Sequence, residues 1–191
     1  FNDCDMLTKV NWNAIDCEAD AFDPVARYTG IFASTPVNSV TFGKDVISIP
    51  AHAFRDVESL SEITTPGTIS YVGYMAFNRT GWERMQELEK VIYVDKAAYV
   101  YKKDKQASGS LEITIAPGTK SITDHLFDGI ERLEKITIPE TVDRIGNKSF
   151  IGCTALSTVE WNPVEIQPVE GYEGSKLFST ALTSIKFGDN V

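Results

Sequence analysis

Apolar residues return along the 191-residue chain at a basic step of 22 or 23 positions. The fullest copy runs from Leu133 to Leu156, LEKITIPETVDRIGNKSFIGCTAL. Ile136 and Ile138 alternate there as in a strand, Val142 and Ile145 follow, and Phe150, Cys153 and Leu156 close the unit. Alternation of period two places Ile136 and Ile138 on one face and Thr137 on the other. A unit this short cannot bury its apolar side alone, so copies must stack to share a continuous core. The pattern therefore predicts a solenoid with an extended outer surface.

The first inward residues of successive copies are Val10, Val40, Ile63, Val91, Ile113, Ile136, Val159 and Ile185, separated by 30, 23, 28, 22, 23, 23 and 26 positions. Two residues beyond each stands a strand partner: Trp12, Phe42, Thr65, Tyr93, Ile115, Ile138, Trp161 and Phe187. This spacing predicts about eight coils in a single array over residues 1–191, with the longer intervals holding edge-loop insertions that cost little entropy. The second half of the unit reads Phe-x-x-(Cys or aliphatic)-x-x-Leu, as in Phe1-Cys4-Leu7, Phe54-Val57-Leu60, Phe127-Ile130-Leu133 and Phe150-Cys153-Leu156. Spacing of three predicts a short helical turn of 3₁₀ type. A longer coil subtype shows in LTKVNWNAID at Leu7 and LSTVEWNPVE at Leu156. Neither end carries a polar cap of the kind terminal coils need, so the expectation is a piece of a longer array.

The strand and turn IxIPxxVxxI, present from Ile136 to Ile145, followed by SF or AF and then xxCxxL, resembles the BspA-like leucine-rich-repeat family of bacterial surface proteins. The resemblance covers nearly the whole chain and is weakest over DKAAYVYKKDKQASGS, Asp95 to Ser110, which lacks the Phe-x-x-Cys-x-x-Leu half and leaves Tyr99 and Tyr101 to fill its place. It implies a curved, right-handed leucine-rich-repeat solenoid, α/β or mainly β, on an exported or cell-surface protein. Adhesion to a host or other-cell surface protein or glycoprotein is the function it implies. It brings no catalytic motif, and no cofactor is expected.

Charge and composition narrow the chemistry. A net charge of −9 opposes a nucleic-acid partner, which requires clustered Lys and Arg. No run of apolar residues reaches the roughly 18 a membrane helix needs, so direct membrane insertion of this segment is not expected. Lys102, Lys103 and Lys105, interrupted by Asp104, read as a solvated loop tip. Cys4, Cys17 and Cys153 are neither a disulfide framework nor a zinc set, and read as small thiols packed between coils. His52 and His125 stand two residues before repeat phenylalanines, where other copies carry Met75 and Lys148, and so read as variable coil positions rather than ligands. The run Asp16, Glu18, Asp20, Asp23 alternates as in a calcium loop but has Ala21 and Arg27 where glycine and a bidentate carboxylate are required. Two sequons, at Asn78-Arg79-Thr80 and Asn147-Lys148-Ser149, bear on function only in a eukaryotic secretory protein.

What remains is surface. The outward strand positions Asn11, Thr41, Thr64, Ile92, Thr114, Thr137, Glu160 and Lys186 form one row, and Lys9, Ser39, Glu62, Lys90, Glu112, Lys135, Thr158 and Ser184 another. Such a threonine-rich ladder suits exposed β-structure and equally suits the floor of a polar binding face. Trp82, in NRTGWERMQEL, and Tyr172, in PVEGYEGSK, lie in insertions, either clamping their own loops or serving as recognition anchors. The candidate binding surface is thus Thr41, Thr64, Ile92, Thr114, Thr137 and Glu160, with Trp82 and Tyr172. The leading expectation is a non-enzymatic extracellular binding module. A carbohydrate-binding module and an architectural spacer are the alternatives.

Overall fold

The computed structural model describes residues 1, 4–17, 30–167, 177–178 and 182–191. Its elements in chain order are β1 (Lys9–Trp12), β2 (Ser39–Phe42), β3 (Ser48–Ile49), β4 (Glu62–Thr64), β5 (Tyr71–Val72), the one-turn helix α1 (Gly81–Arg84), β6 (Val91–Val94), β7 (Ala97–Tyr101), β8 (Leu111–Thr114), β9 (Ser121–Ile122), β10 (Leu133–Ile138), β11 (Arg144–Ile145), β12 (Thr158–Trp161) and β13 (Ser184–Phe187). They fall into two compact units, Phe1–Glu87 and Leu88–Val191. Each is a stretch of mainly-β solenoid, about six turns in all. All eight anchors lie in strands, but the first and last, β1 and β13, are not followed by a complete described turn, so the turns number fewer than the anchors.

In the first unit β1, β2 and β4 pair in parallel with Val10, Val40 and Ile63 in register, and β3 pairs with β5 through Ile49 and Val72. The second unit holds a parallel sheet of order β13-β12-β10-β8, in which Ile185, Val159, Ile136 and Ile113 align. Its second sheet aligns Ile145, Ile122 and Ala98 across β11, β9 and β7. The sequence period is thus the strand-to-strand step of the sheet, and equivalent residues stack directly on one another.

The irregular coil has a specific cause. Instead of joining the parallel ladder, β6 turns back through Asp95 (φ 49°) and pairs antiparallel with β7. Ala98 of β7 then takes the second-strand position beside Ile122. Tyr101 does fill the missing phenylalanine place, its ring 5.7 Å from that of Phe127. Ile92 is consequently not an outward residue. It is 9% exposed and sits opposite Val100 in the hairpin, which removes it from the candidate surface.

The phenylalanine half-units are not helical turns. His52, Met75, His125 and Lys148, each two residues before a phenylalanine, have φ of 60°, 56°, 58° and 55°. Ser34, Asp56, Arg79, Gly129 and Gly152, each two residues after one, have φ between 63° and 74°. With left-handed residues four positions apart on either side of the phenylalanine, every second amide points along the stacking direction. The N–H groups of His52, Phe54 and Asp56 donate to the carbonyls of Tyr74, Ala76 and Asn78 at 3.0, 2.7 and 2.9 Å. His125, Phe127 and Gly129 donate likewise to Asn147, Ser149 and Ile151 at 3.0, 2.9 and 2.9 Å. The left-handed cost of about 1–2 kcal/mol at each non-glycine position is offset by backbone bonds between coils. Because the left-handed site constrains the backbone, its side chain is free to be His, Met or Lys.

Phenylalanine rings form the spine of both units. Phe1, Phe32, Phe54 and Phe77 stack at centroid separations of 4.9, 5.2 and 5.5 Å, with interplanar angles of 9°, 11° and 3°. Phe127, Phe150 and Phe178 stack at 5.5 and 5.2 Å. Two inward residues depart from expectation. Ile185 and Phe187 on β13 are 43% and 65% exposed, because β13 is the terminal strand of its sheet.

Candidate binding face

The eight candidate residues divide by unit. On β2 and β4, Thr41 and Thr64 face each other in register, with Asn11 of β1 completing the row, and all three are exposed. On the second unit's sheet, Thr114, Thr137 and Glu160 form one in-register row that ends at Lys186. Beside it runs Glu112, Lys135, Thr158 and Ser184. At the strand spacing of about 4.8 Å, four strands make a face roughly 14 Å across. Each row holds one acid beside one base, Glu160 next to Lys186 and Glu112 next to Lys135.

Glu160 is the hub of this face. Lys135 Nζ lies 2.8 Å from its Oε1, and Thr137 donates its hydroxyl to Oε2, also at 2.8 Å. The hydrogen bond from Lys135, with that from Thr137 next, holds the Glu160 carboxyl below the usual carboxylate range, and the same bond raises the Lys135 ammonium. Lys135 pairs directly with Thr158 in the ladder, so its contact with Glu160 is diagonal. The strand pattern identified Glu160 and Thr137; Lys135 became legible as their partner only with the register. Their side chains are about one third exposed, so the pair contributes little to stability and fixes the orientation of the charges.

The insertion residues part company. Trp82 lies in α1, half-buried, with its ring 5.2 Å from Phe77 and its amide donating to the Leu60 carbonyl at 2.7 Å. It packs on the spine as a clamp of its own insertion. Thr80 caps the helix, accepting from the Glu83 amide at 3.0 Å, while Glu83 Oε2 accepts from the Arg79 amide at 2.7 Å. Tyr172 lies outside the described residues, as do Glu18, Asp20 and Asp23 of the acidic run.

Other candidate chemistry resolves into structure. The hydroxyls of both sequons are fully buried. Thr80 donates to the Phe77 carbonyl at 2.8 Å and Ser149 to the Gly146 carbonyl at 2.6 Å. Cys153 is fully buried with its thiol on the Phe127 carbonyl at 3.1 Å, and burial pushes its pKa to about 11. Cys4 and Cys17 are half-buried and free. The lysine cluster is more than a loop tip, since Lys103 Nζ donates to the Gly129 carbonyl at 2.7 Å and fastens its segment to the neighbouring coil. Among the described residues no three or more His, Cys, Asp or Glu side chains gather as a metal set, and no helix is long and apolar enough to cross a membrane.

The sequence profile described as the BspA type leucine rich repeat region matches residues 28–109 and 105–191, in six copies. Among solved structures, a leucine-rich repeat protein from Bacteroides ovatus is 17% identical at a TM-score of 0.38 over 99% of this chain. A leucine rich cell surface protein from Faecalibacterium prausnitzii is 16% identical at a TM-score of 0.35 over 82% of this chain, which spans 64% of that one. The pneumococcal vaccine antigen PcpA is 14% identical at a TM-score of 0.39 over 97% of this chain, which spans 61% of that one. The chain spans only 38% of the Bacteroides ovatus protein. No curated protein sequence matches it.

Proposed function

Because the chain belongs to the BspA-type leucine-rich-repeat family, we propose that it is a non-enzymatic binding module displayed at a bacterial cell surface, recognising a protein or glycoprotein of a host or another cell. The observation that carries this reading is the in-register outer face of the second unit. There Thr114, Thr137, Glu160 and Lys186 stand beside Glu112, Lys135, Thr158 and Ser184 on one parallel sheet. Recognition by such a face consists of many weak polar contacts in a fixed charge pattern, which gives specificity and orientation more than affinity. A partner needs the complementary pattern, acid over Lys135 and Lys186 and base over Glu112 and Glu160.

The test is binding of the immobilised chain to an array of matrix proteins, mucins and glycans, alongside a variant carrying Thr114→Lys and Thr137→Lys. A saturable protein or glycoprotein hit that the variant loses supports the reading. Hits that survive the double change refute the assignment to this face. No binding anywhere on the array leaves the spacer role as the better account.

A further inference from the structure

In the two outward rows of the second unit's sheet, every strand carries one charge. Glu112 stands on β8, Lys135 on β10, Glu160 on β12 and Lys186 on β13, so the sign changes at each strand. Glu112 lies directly opposite Lys135, and Glu160 directly opposite Lys186. The diagonal contact of Lys135 with Glu160 at 2.8 Å joins the two halves into one zigzag. The first unit has no such order, since Ser39 and Thr41 leave β2 without a charge between Lys9 and Glu62. Within the zigzag the inner pair is partly neutralised by its own contact. The side chains at its ends, Glu112 and Lys186, are exposed and have no hydrogen-bond or ion-pair partner among the described residues.

Such a ladder selects a spacing. At about 4.8 Å between strands, the charges on β8 and β13 stand about 14 Å apart across the sheet. An α-helix presents positions i, i+3, i+7 and i+10 on one face over a rise of about 15 Å. Four same-face residues of an extended chain span about 20 Å. A helix therefore stays within about 1 Å of the ladder from end to end, whereas an extended segment runs out of step by about 6 Å. The other outward positions on these strands are threonines and a serine, short enough to let a helix reach the charges. Building on the reading of this face as the binding surface, we propose that the partner presents to it an α-helix of about three turns laid across the four strands. Basic, acidic, basic and acidic side chains at i, i+3, i+7 and i+10 meet Glu112, Lys135, Glu160 and Lys186 in turn. The end charges also choose the sense of the helix, with its positive N-terminus over Glu112 and its negative C-terminus over Lys186.

The test titrates the ¹⁵N-labelled full chain, at low ionic strength, with a side-chain-stapled helical peptide carrying Lys, Glu, Lys and Glu at those positions. The controls are the same helix with all four signs inverted and an extended peptide with the same charges at alternate positions. The matched helix is expected to shift amides of β8, β10, β12 and β13 saturably and to bind about tenfold tighter than either control. In a variant with Glu112→Lys and Lys186→Glu, two ends that make no other contact described, the preference between the two helices should vanish. Reversing Lys135→Glu and Glu160→Lys as well keeps an ion pair in the middle and should transfer the preference to the inverted helix. No binding, shifts outside these strands, equal binding of the extended peptide, or a preference unmoved in both variants each overturns the proposal. If that happens while array hits are still lost with Thr114→Lys and Thr137→Lys, the face remains the binding surface and only the helical partner is refuted. Array hits that survive those two changes refute both.

Discussion

Phe127→Ala tests whether the ring spine is the main source of stability in the second unit. Phe127 is completely buried, with Phe150 stacked at 5.5 Å and 17° on one side and Tyr101 at 5.7 Å and 49° on the other. Truncating a buried phenylalanine to alanine costs about 3–5 kcal/mol through lost transfer energy and the cavity left behind. The two ring contacts account for about 0.5–1.5 kcal/mol each of that loss beyond area burial. Phe150 bridges to Phe178 of the next coil and Tyr101 pairs with Val91 in its hairpin, so the site cannot collapse freely, and a value of about 4 kcal/mol is expected. With a urea dependence of about 2 kcal/mol per molar, the unfolding midpoint followed by far-ultraviolet circular dichroism should fall by about 2 M. Phe187→Ala provides the internal control, because Phe187 is chemically the same residue but 65% exposed, and it should cost below about 1 kcal/mol. A double-mutant cycle with Phe150→Ala should give a coupling of about 0.5–1.5 kcal/mol. If Phe127→Ala costs no more than Phe187→Ala, stacking and burial at this position do not hold the unit together and the reasoning fails.

Two further outcomes follow from the backbone and from the buried thiol. A Cβ on Gly146 would stand 2.2 Å from the Asp124 amide nitrogen, so Gly146→Ala must push neighbouring coils apart and should cost about 1–3 kcal/mol. At Gly109 nothing lies within 4 Å, so Gly109→Ala carries only the strain of φ 84°; equal midpoints for both variants in urea would refute the close-approach argument. The Cys153 thiol is protonated in the fold up to about pH 11 but ionises near 9 once unfolded. Its contribution is therefore complete below pH 9 and is lost as pH rises from 9 to 11, at roughly 1.4 kcal/mol per pH unit. Iodoacetamide at pH 8 should modify Cys4 and Cys17 before Cys153, whose modification should track global unfolding; early Cys153 labelling, read by peptide mass spectrometry, would contradict its burial.

The parallel ladders were legible in the sequence because their cause is local and periodic. Four of the seven steps between inward anchors are 22 or 23, the longer ones only add residues in the loops, and parallel pairing adds no new register to guess. The phenylalanine half-unit was legible in its burial but not in its backbone. Spacing of three suits a 3₁₀ turn as well as it suits two left-handed residues flanking Phe54, and non-glycine residues such as Asp56 and Arg79 give no warning of positive φ. Ile92 was placed outward by the same alternation that succeeded elsewhere. What defeated it was the reversal at Asp95-Lys96, which turns β6 into a hairpin with β7 in which Ile92 is 9% exposed. Of the candidate surface, the rows follow from register, whereas Lys135 on Glu160 is a diagonal contact that linear spacing does not single out.

The division between inward and outward positions explains how one scaffold carries unrelated surfaces. Phenylalanine stacking, inter-coil amide bonds and close glycine contacts all act through the interior or the main chain. The outward rows can then change residue type at little cost to the fold, and the two sheets have done so. Asn11, Thr41 and Thr64 give the first unit a middle row without charge, whereas Thr114, Thr137, Glu160 and Lys186 give the second a row that ends in an acid and a base. The charged row is also pre-paired. Lys135 and Thr137 already solvate Glu160, so a partner settling on this face does not have to strip water from a bare carboxylate. That lowers the desolvation cost of association while leaving the sign pattern readable, a combination suited to selective contact of modest strength. Reversing Glu160 to lysine would place it against Lys135 and destroy the pattern, while leaving Phe127, Phe150 and the inter-coil bonds untouched. Loss of binding without loss of stability in that variant is the signature that separates recognition by the face from a role in the fold.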